Sequence, residues 1–336
     1  MKLPLGKVPI NVLEEVVFRN LGVNRKEVIL GPSAGFDGAV IDVGDNSLII
    51  SMDPITGARE RIGWLAVNIN ANDVATFGVE PAFLSSCILL SENTSRKEIE
   101  TICAQMDKAA RDLGIAIIGG HCETTPALEN PIIIGSIIGL TKKGHYVTAG
   151  GSKPGDKLIL TKSAGIEGTA ILASDKRARL ENSICSPVIC KAREFFNQIS
   201  VVKDALVAYE SGGVNAMHDP TEGGVSGGMH EMAEASNVGF KIFEEKIPIQ
   251  KETQEICSFF QIDPLQLASS GALLISASVE HASKIVTSLK QQKVPASIIG
   301  EITEKIYERI MVKKDGSIIT LPTPLSDHLW LALGRE

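Results

Sequence analysis

The chain has 336 residues, 44% of them hydrophobic, 22% charged and 4% aromatic, with a formal net charge of −7. That length exceeds one ordinary core and suits two domains of roughly 150 residues each, and the composition is that of a soluble α/β protein rather than a disordered or fibrous one. Dispersed basic residues exclude the positive stripe a nucleic-acid backbone needs, residues 1–10 lack the apolar run of a signal peptide, and the longest apolar stretch, residues 131–140, is too short to cross a bilayer; a cytoplasmic protein with no nucleic acid and no membrane partner is expected.

Apolar residues 39–43 and 47–51 flank Gly44, Asp45 and Asn46, which predicts a β-hairpin. Residues 62–77 predict a helix and residues 82–90 a strand. Ser95 and Glu98 have the spacing of a capping box. After them Ile99, Ile102, Cys103, Met106, Ala110 and Leu113 recur on one helical face, and Gly114 is placed to end that helix. β-Branched runs at 115–118 and 132–140 complete a β-β-α-β-α-β-β order, which suits a mixed sheet with helices on one face. The turn-rich stretch 148–155 places a boundary between residues 1–150 and 151–336. Beyond it, strands are expected at 157–161, 214–218, 272–277 and 296–302, with helices after Glu167 and at 225–235, 251–259 and 281–291. The fold class is therefore α/β (α+β) in two halves, without a short-period repeat. Cys87, Cys103, Cys122, Cys185, Cys190 and Cys257 form no CxxC pair, so neither a zinc site nor a disulfide framework is suggested; most are expected to be small buried hydrophobes.

Four aspartates sit where glycine, proline or asparagine neighbours end a sheet or helix: Asp37, Asp53, Asp73 and Asp219. Asp37 lies in the loop of residues 31–38, Asp53 is expected to end the second strand, and a hairpin brings those two carboxylates to the same end of the sheet. Asp73 shares its helix with Asn70 and Asn72, residues unfavourable to a helix and in need of polar partners. Paired carboxylates suit Mg²⁺ held beside phosphate oxygens, because this hard cation takes a few carboxylates, waters and the substrate's own phosphates. Taken singly, each aspartate reads more readily as a turn former or a solvated helix residue.

Glycine-rich transitions at 117–124, 164–169 and 218–225 follow strands and are suited to offering backbone N–H groups to an anion. Neither a P-loop nor a GxGxxG fingerprint is present. His121 reads equally as a general base, a hydrogen bond to phosphate or a satisfied histidine at a strand end. Cys122 beside it reads as a buried thiol.

In their order along the chain these elements resemble the aminoimidazole ribonucleotide (AIR) synthetase superfamily, and within it the HypE branch. Residues 35–40 (GFDGAV) are similar to the GDDAAV element, 72–81 to the NDxxxxGxxP helix, 119–123 to the glycine-rich GG(D/E/H)T loop and 219–225 (DPTEGGV) to DPTRGGV; Asp263-Pro264-Leu265 and Ala268-Ser269-Ser270-Gly271 match its DPL and AxxG elements. The resemblance implies a two-domain fold, a homodimer formed through the first halves, and ATP and Mg²⁺ bound near that interface. It implies that Asp37, Asp53, Asp73 and Asp219 hold metal or nucleotide phosphates. Gly35, Phe36, Asp37, Gly38, Asn70, Asn72, Asp73, Gly119, Gly120, His121, Glu123, Gly223 and Gly224 are the expected nucleotide-binding residues, and Asp73, Asp219 and His121 the expected catalytic ones.

Four departures bear on the activity. HypE ends in a cysteine, whereas this sequence ends Leu333-Gly334-Arg335-Glu336; Phe36 replaces the first acidic residue of GDDAAV; His121 stands where kinase relatives carry a metal-binding aspartate; and Glu222 replaces the arginine of DPTRGGV. The expected activity is ATP-dependent phosphorylation of a carbonyl or amide oxygen of a small substrate by a HypE-like paralogue, of ligase or phosphotransferase type. Its alternatives are a small-molecule kinase similar to thiamine monophosphate kinase, a purine-pathway synthetase, or a non-catalytic ATP-binding partner in a metalloenzyme maturation complex, which would bring a protein partner.

Overall fold

A computed structural model describes residue 3 and residues 5–334. The last two residues of the sequence, Arg335 and Glu336, lie outside the described residues. The first half forms a six-stranded sheet from β1 (Val28–Leu30), β2 (Ala39–Val43), β3 (Asn46–Ile55), β4 (Pro81–Leu90), β5 (Ala116–Thr124) and β6 (Ile132–Lys142), in the spatial order β1-β2-β3-β6-β4-β5. All neighbours are antiparallel except β4 and β5. Two helices cover one face: α1 (Ile62–Ala75) lies on the sheet and α2 (Arg96–Leu113) packs outside it.

Helix α1 is buried almost all round, because the sheet, α2 and the second half of the chain enclose it. Its neighbour α2 is amphipathic and closed at both ends as its sequence implies. Ser95 and Glu98 exchange hydrogen bonds in a full capping box, and Gly114 adopts φ 71° beyond the last turn.

The second half holds a seven-stranded sheet of β7 (Lys157–Thr161), β8 (Val214–His218), β9 (Gly239–Phe243), β10 (Leu274–Ala277), β11 (Ala296–Thr303), β12 (Arg309–Val312) and β13 (Ile318–Thr320), ordered β13-β12-β9-β11-β7-β10-β8. Its longer helices are α3 (Ile166–Asp175), α4 (Ser186–Glu194), α5 (Val202–Glu210), α6 (Gly224–Ser236), α7 (Lys251–Phe260), α8 (Val279–Gln291) and the short α9 (His328–Leu333). One hydrophobic cluster runs from Val40 and Ile49 through α1 into Ile171, Phe195 and Ala205, so the two sheets share a core; a second cluster centres on Leu158, Phe240 and Met229.

The other face of the first sheet is uncovered and apolar. Met52 on β3, Phe83 on β4 and Leu140 on β6 are 62%, 41% and 52% exposed, and edge strand β5 is exposed along its whole length. Alternation explains the pattern: Ile49, Ile133 and Ile137 point to the helices, and their neighbours along each strand point away.

Several expectations need correction. Strand β3 continues to Ile55, so Asp53 lies inside it opposite Gly135 rather than ending it. Residues 119–124 are strand, not a glycine loop. Cys103, Cys122, Cys185 and Cys190 are exposed thiols, Cys87 is half-buried, and only Cys257 of the six is buried. Among the described residues no helix is long and apolar enough to cross a membrane.

A buried carboxylate cluster as the candidate active site

The site forms where the first sheet meets α6 and the end of β8. Residues 31–38 lie flat against α6. Gly35 has φ 76°, and a Cβ there would stand 2.4 Å from the Glu231 carbonyl oxygen. Gly38 passes so close to β3 that a Cβ would meet the Ile50 carbonyl oxygen at 2.9 Å. Phe36 packs its ring toward Gly150. This close packing carries Asp37 to His218, the last residue of β8, at 2.7 Å from Nδ1. The other ring nitrogen of His218, Nε2, lies 2.9 Å from Glu231 on α6.

His218 is buried, which by itself disfavours its charge, but Asp37 and Glu231 outweigh that and raise its pKa well above the ordinary histidine value. It is an imidazolium donating from both nitrogens. Glu231 is held far below the ordinary glutamate range: burial opposes its charge, and Lys7 and His218 more than compensate. Lys7 closes the chain of contacts, with Nζ 2.6 Å from Glu231.

The remaining carboxylates show the opposite behaviour. Burial, reinforced by Asp37, raises Asp219 well above its ordinary value, and neither of its side-chain oxygens has a hydrogen-bond partner. Burial with the neighbouring Asp53, Asp219 and Asp37 raises Asp73 likewise. Asp53 is pushed up to about 6, by burial first, with Lys7 opposing and Asp37 adding.

Ser51 supports the same picture by geometry. Its hydroxyl lies 2.6 Å from the Asp37 carbonyl oxygen and 2.7 Å from Asp73 Oδ2. One hydroxyl hydrogen cannot serve two acceptors, so a protonated Asp73 donating to Ser51 satisfies all three groups.

Not every expected nucleotide-binding residue has a free group. Asn70 is spent on β3: its Oδ1 accepts from the Asp53 N–H at 2.9 Å and its Nδ2 donates to Ala66 O. Asn72 joins the two halves, accepting from Val201 N–H at 2.8 Å and donating to Ile199 O at 2.9 Å. The Gly223 N–H donates to Asp327 Oδ2 at 2.6 Å and the Gly224 N–H to Thr221 O, so these amides do not face an open anion site. Gly119, Gly120, His121 and Glu123 lie on edge strand β5, with His121 Nε2 3.1 Å from Glu123. The row His121–Cys87–Ile134–Pro54 puts three strand spacings, about 14 Å, between them and β3. Within one chain, His121 is therefore not part of the aspartate cluster.

Asp37, Asp53, Asp73 and Asp219 do come together, each interacting electrostatically with at least one of the others. Among the described residues no three acidic, histidine or cysteine side chains converge closely enough to hold a metal ion by themselves. An orphaned buried carboxylate beside Asp53 and Asp73, whose pKa values burial raises, nevertheless fits Mg²⁺, which completes its shell with water and phosphate oxygens. His218, Glu231, Lys7 and Ser51 are participants the sequence does not mark. His218 adjoins Asp219, but its partners are 181 positions upstream and 13 downstream.

The family profile of AIR synthase related protein, N-terminal domain, matches residues 35–141, and that of its C-terminal domain matches residues 153–313. The chain belongs to the AIR synthase related family. It is 31% identical over 309 residues, 89% of each chain, to a Methanocaldococcus jannaschii protein provisionally named for hydrogenase expression/formation. It is 28% identical over 278 residues to the carbamoyl dehydratase HypE of Rhizobium leguminosarum bv. viciae, covering 80% of this chain and 77% of that one. Among solved structures, HypE in its complex with HypF superposes with a TM-score of 0.77 at 24% identity, covering 93% of this chain and 99% of that one. HypE in complex with ATP gives 0.73 at 24% identity and 96% of both. At that identity these two structures establish the fold, and this AIR synthase related chain is HypE-like in sequence as well.

Proposed function

We propose that the chain is an ATP- and Mg²⁺-dependent enzyme that activates a carbonyl or amide oxygen of a small substrate by phosphorylation, as a HypE-like paralogue. Asp219 carries this reading: a buried carboxylate with both oxygens unpartnered, facing Asp37, Asp53 and Asp73. A buried charge of that kind needs a cation or a proton. Asp53, Asp73 and Asp219 would hold Mg²⁺, which when bound neutralises charge on a departing phosphoryl group. Asp37 is fixed by the His218 imidazolium, and Ser51 links it to Asp73. The names of the relatives, a carbamoyl dehydratase and a HypE crystallised with ATP, support the same chemistry.

A small acceptor would find room nearby. A cleft of about 390 Å³, lined in part by Thr56, Arg59, Asp175 and Trp330, lies beside the indole that donates to Glu222. The uncovered apolar sheet face supports a homodimer, and the HypE–HypF complex supports a maturation-type protein partner. A panel of carbamoyl- and amide-bearing small molecules, scored by ADP release with Mg²⁺, tests the activity. Release stimulated by one class and abolished in Asp219→Asn is the expected result; no stimulation by any member, with ATP bound, would favour a binding role without turnover.

A further inference from the structure

Residues 5–9 run across the mouth of the carboxylate cluster and are tied there by specific contacts. The Leu5 carbonyl accepts from Ser326 Oγ at 3.0 Å. The Lys7 N–H donates to Glu222 Oε2 at 2.5 Å, and Glu222 Oε1 accepts from the Trp330 indole at 3.3 Å. Gly6 has φ 95°, and a Cβ there would come within 2.9 Å of both Glu222 and Trp330. The segment is thus clamped on Glu222, and the clamp turns Lys7 inward to Glu231 at 2.6 Å.

Charge makes the position of Lys7 consequential. Six carboxyl groups, Asp37, Asp53, Asp73, Asp219, Glu222 and Glu231, surround the site, so a triphosphate entering it finds few cationic partners. Among the described residues, the cations reaching this cluster are His218 and Lys7. His218 is buried with both nitrogens engaged. Lys7 is 58% exposed and spends one contact on Glu231, which leaves ammonium donors for an incoming oxyanion.

We propose that Lys7 is the cation that positions the nucleotide phosphates, presented by residues 5–9, and that Glu222 is the anchor of this segment rather than a phosphate ligand. The inference rests on the Mg²⁺–ATP reading above. It also gives the acidic residue in the glycine-rich motif a role: its carboxylate holds in place the segment that brings the positive charge.

The test combines titration calorimetry of ATP with Mg²⁺ and acetylation of lysines read by mass spectrometry, on the full chain. In the wild type, nucleotide should reduce Lys7 labelling several-fold. Lys7→Ala should lower ATP affinity by about tenfold or more, the loss expected for a charge-assisted hydrogen bond, while Lys7→Arg stays within about threefold. Glu222→Ala should free the segment, leaving Lys7 labelled equally with and without nucleotide and affinity close to that of Lys7→Ala. A cooperative thermal transition verifies that the Lys7 and Glu222 variants are folded. Wild-type affinity in Lys7→Ala overturns the inference while leaving the functional reading intact. Increased Lys7 labelling with ATP also overturns it, since Lys7 would then be a counter-ion that the nucleotide expels. Failure of the wild type to bind ATP removes the functional reading itself.

Discussion

Asp219 is the residue on which the proposed chemistry rests, because the fold keeps it buried without a donor to either oxygen. Replacing it with asparagine removes a carboxylate that the fold tolerates only when protonated or bound to a cation. Asp219→Asn should therefore raise the stability of the nucleotide-free protein at pH 8, with little effect at about pH 4, where the aspartate is largely protonated in the unfolded chain as well. Denaturant unfolding at the two pH values measures this. A wider pH dependence follows from the same groups. Asp53 and Asp327 are pushed up to about 6 and Glu167 to about 7, chiefly by burial; burial also raises Asp73 and Asp219 well above the ordinary value, and Asp37 and Glu231 raise His218 against its burial. A raised folded pKa gives stability that is present below the unfolded value and lost as pH climbs through the folded one. The unfolding free energy should thus decline as pH rises from about 4 to about 8, and Mg²⁺ with ATP should reverse part of that decline; a flat profile would show that these groups are not shifted in the fold. At this scale the four aspartates were legible from their glycine, proline and asparagine neighbours. Lys7, His218 and Glu231 were not, because their pairing joins residues as much as 224 positions apart and leaves no local spacing.

The elements show the same division between local and distant causes. The capping box at Ser95 and the closing Gly114 could be read directly, since cap chemistry is complete within one helix. Strand β5 runs on beyond the expected 115–118 through Gly119 and Gly120, which by type alone suit a loop. In the fold they are extended at φ 154° and 150°, where glycine alone is comfortable, and β4 lies against them. A Cβ on Gly120 would stand 1.9 Å from the Ser86 carbonyl oxygen, so Gly120→Ala should detach β5 and cost several kcal/mol in urea unfolding, on the order of a large core defect. The asparagines of α1 invited polar partners by their type, but their partners could not be named. Asn72 meets the backbone at Ile199 and Val201 of the other half. Asn72→Leu should destabilise the chain by about 2–4 kcal/mol, since two buried backbone groups lose their partners. Strands β12 and β13 escaped notice because, at four and three residues, they carry too little periodicity to register.

At the level of the whole molecule, the two sheets share a core through α1 and leave one broad apolar face of the first sheet open. The expected order β-β-α-β-α-β-β lacks the three-residue edge strand β1 and otherwise matches the first layer, but only the register shows that Met52, Phe83 and Leu140 share the uncovered side. A second copy packed on that face would bury them. Light scattering should give twice the chain mass for the wild type, and Met52→Asp with Leu140→Asp should give the single-chain mass; an unaltered dimer would place the interface elsewhere. The carboxylate cluster sits where the two halves meet, so its integrity depends on the entire fold rather than on either sheet alone. Titration calorimetry of ATP into the wild type and Asp219→Asn, each with Mg²⁺ and with a chelator, tests that cluster most directly. Micromolar to low-millimolar binding that requires both Mg²⁺ and Asp219 is expected, with proton release on binding; equal binding in all four experiments, or none in any, would contradict it.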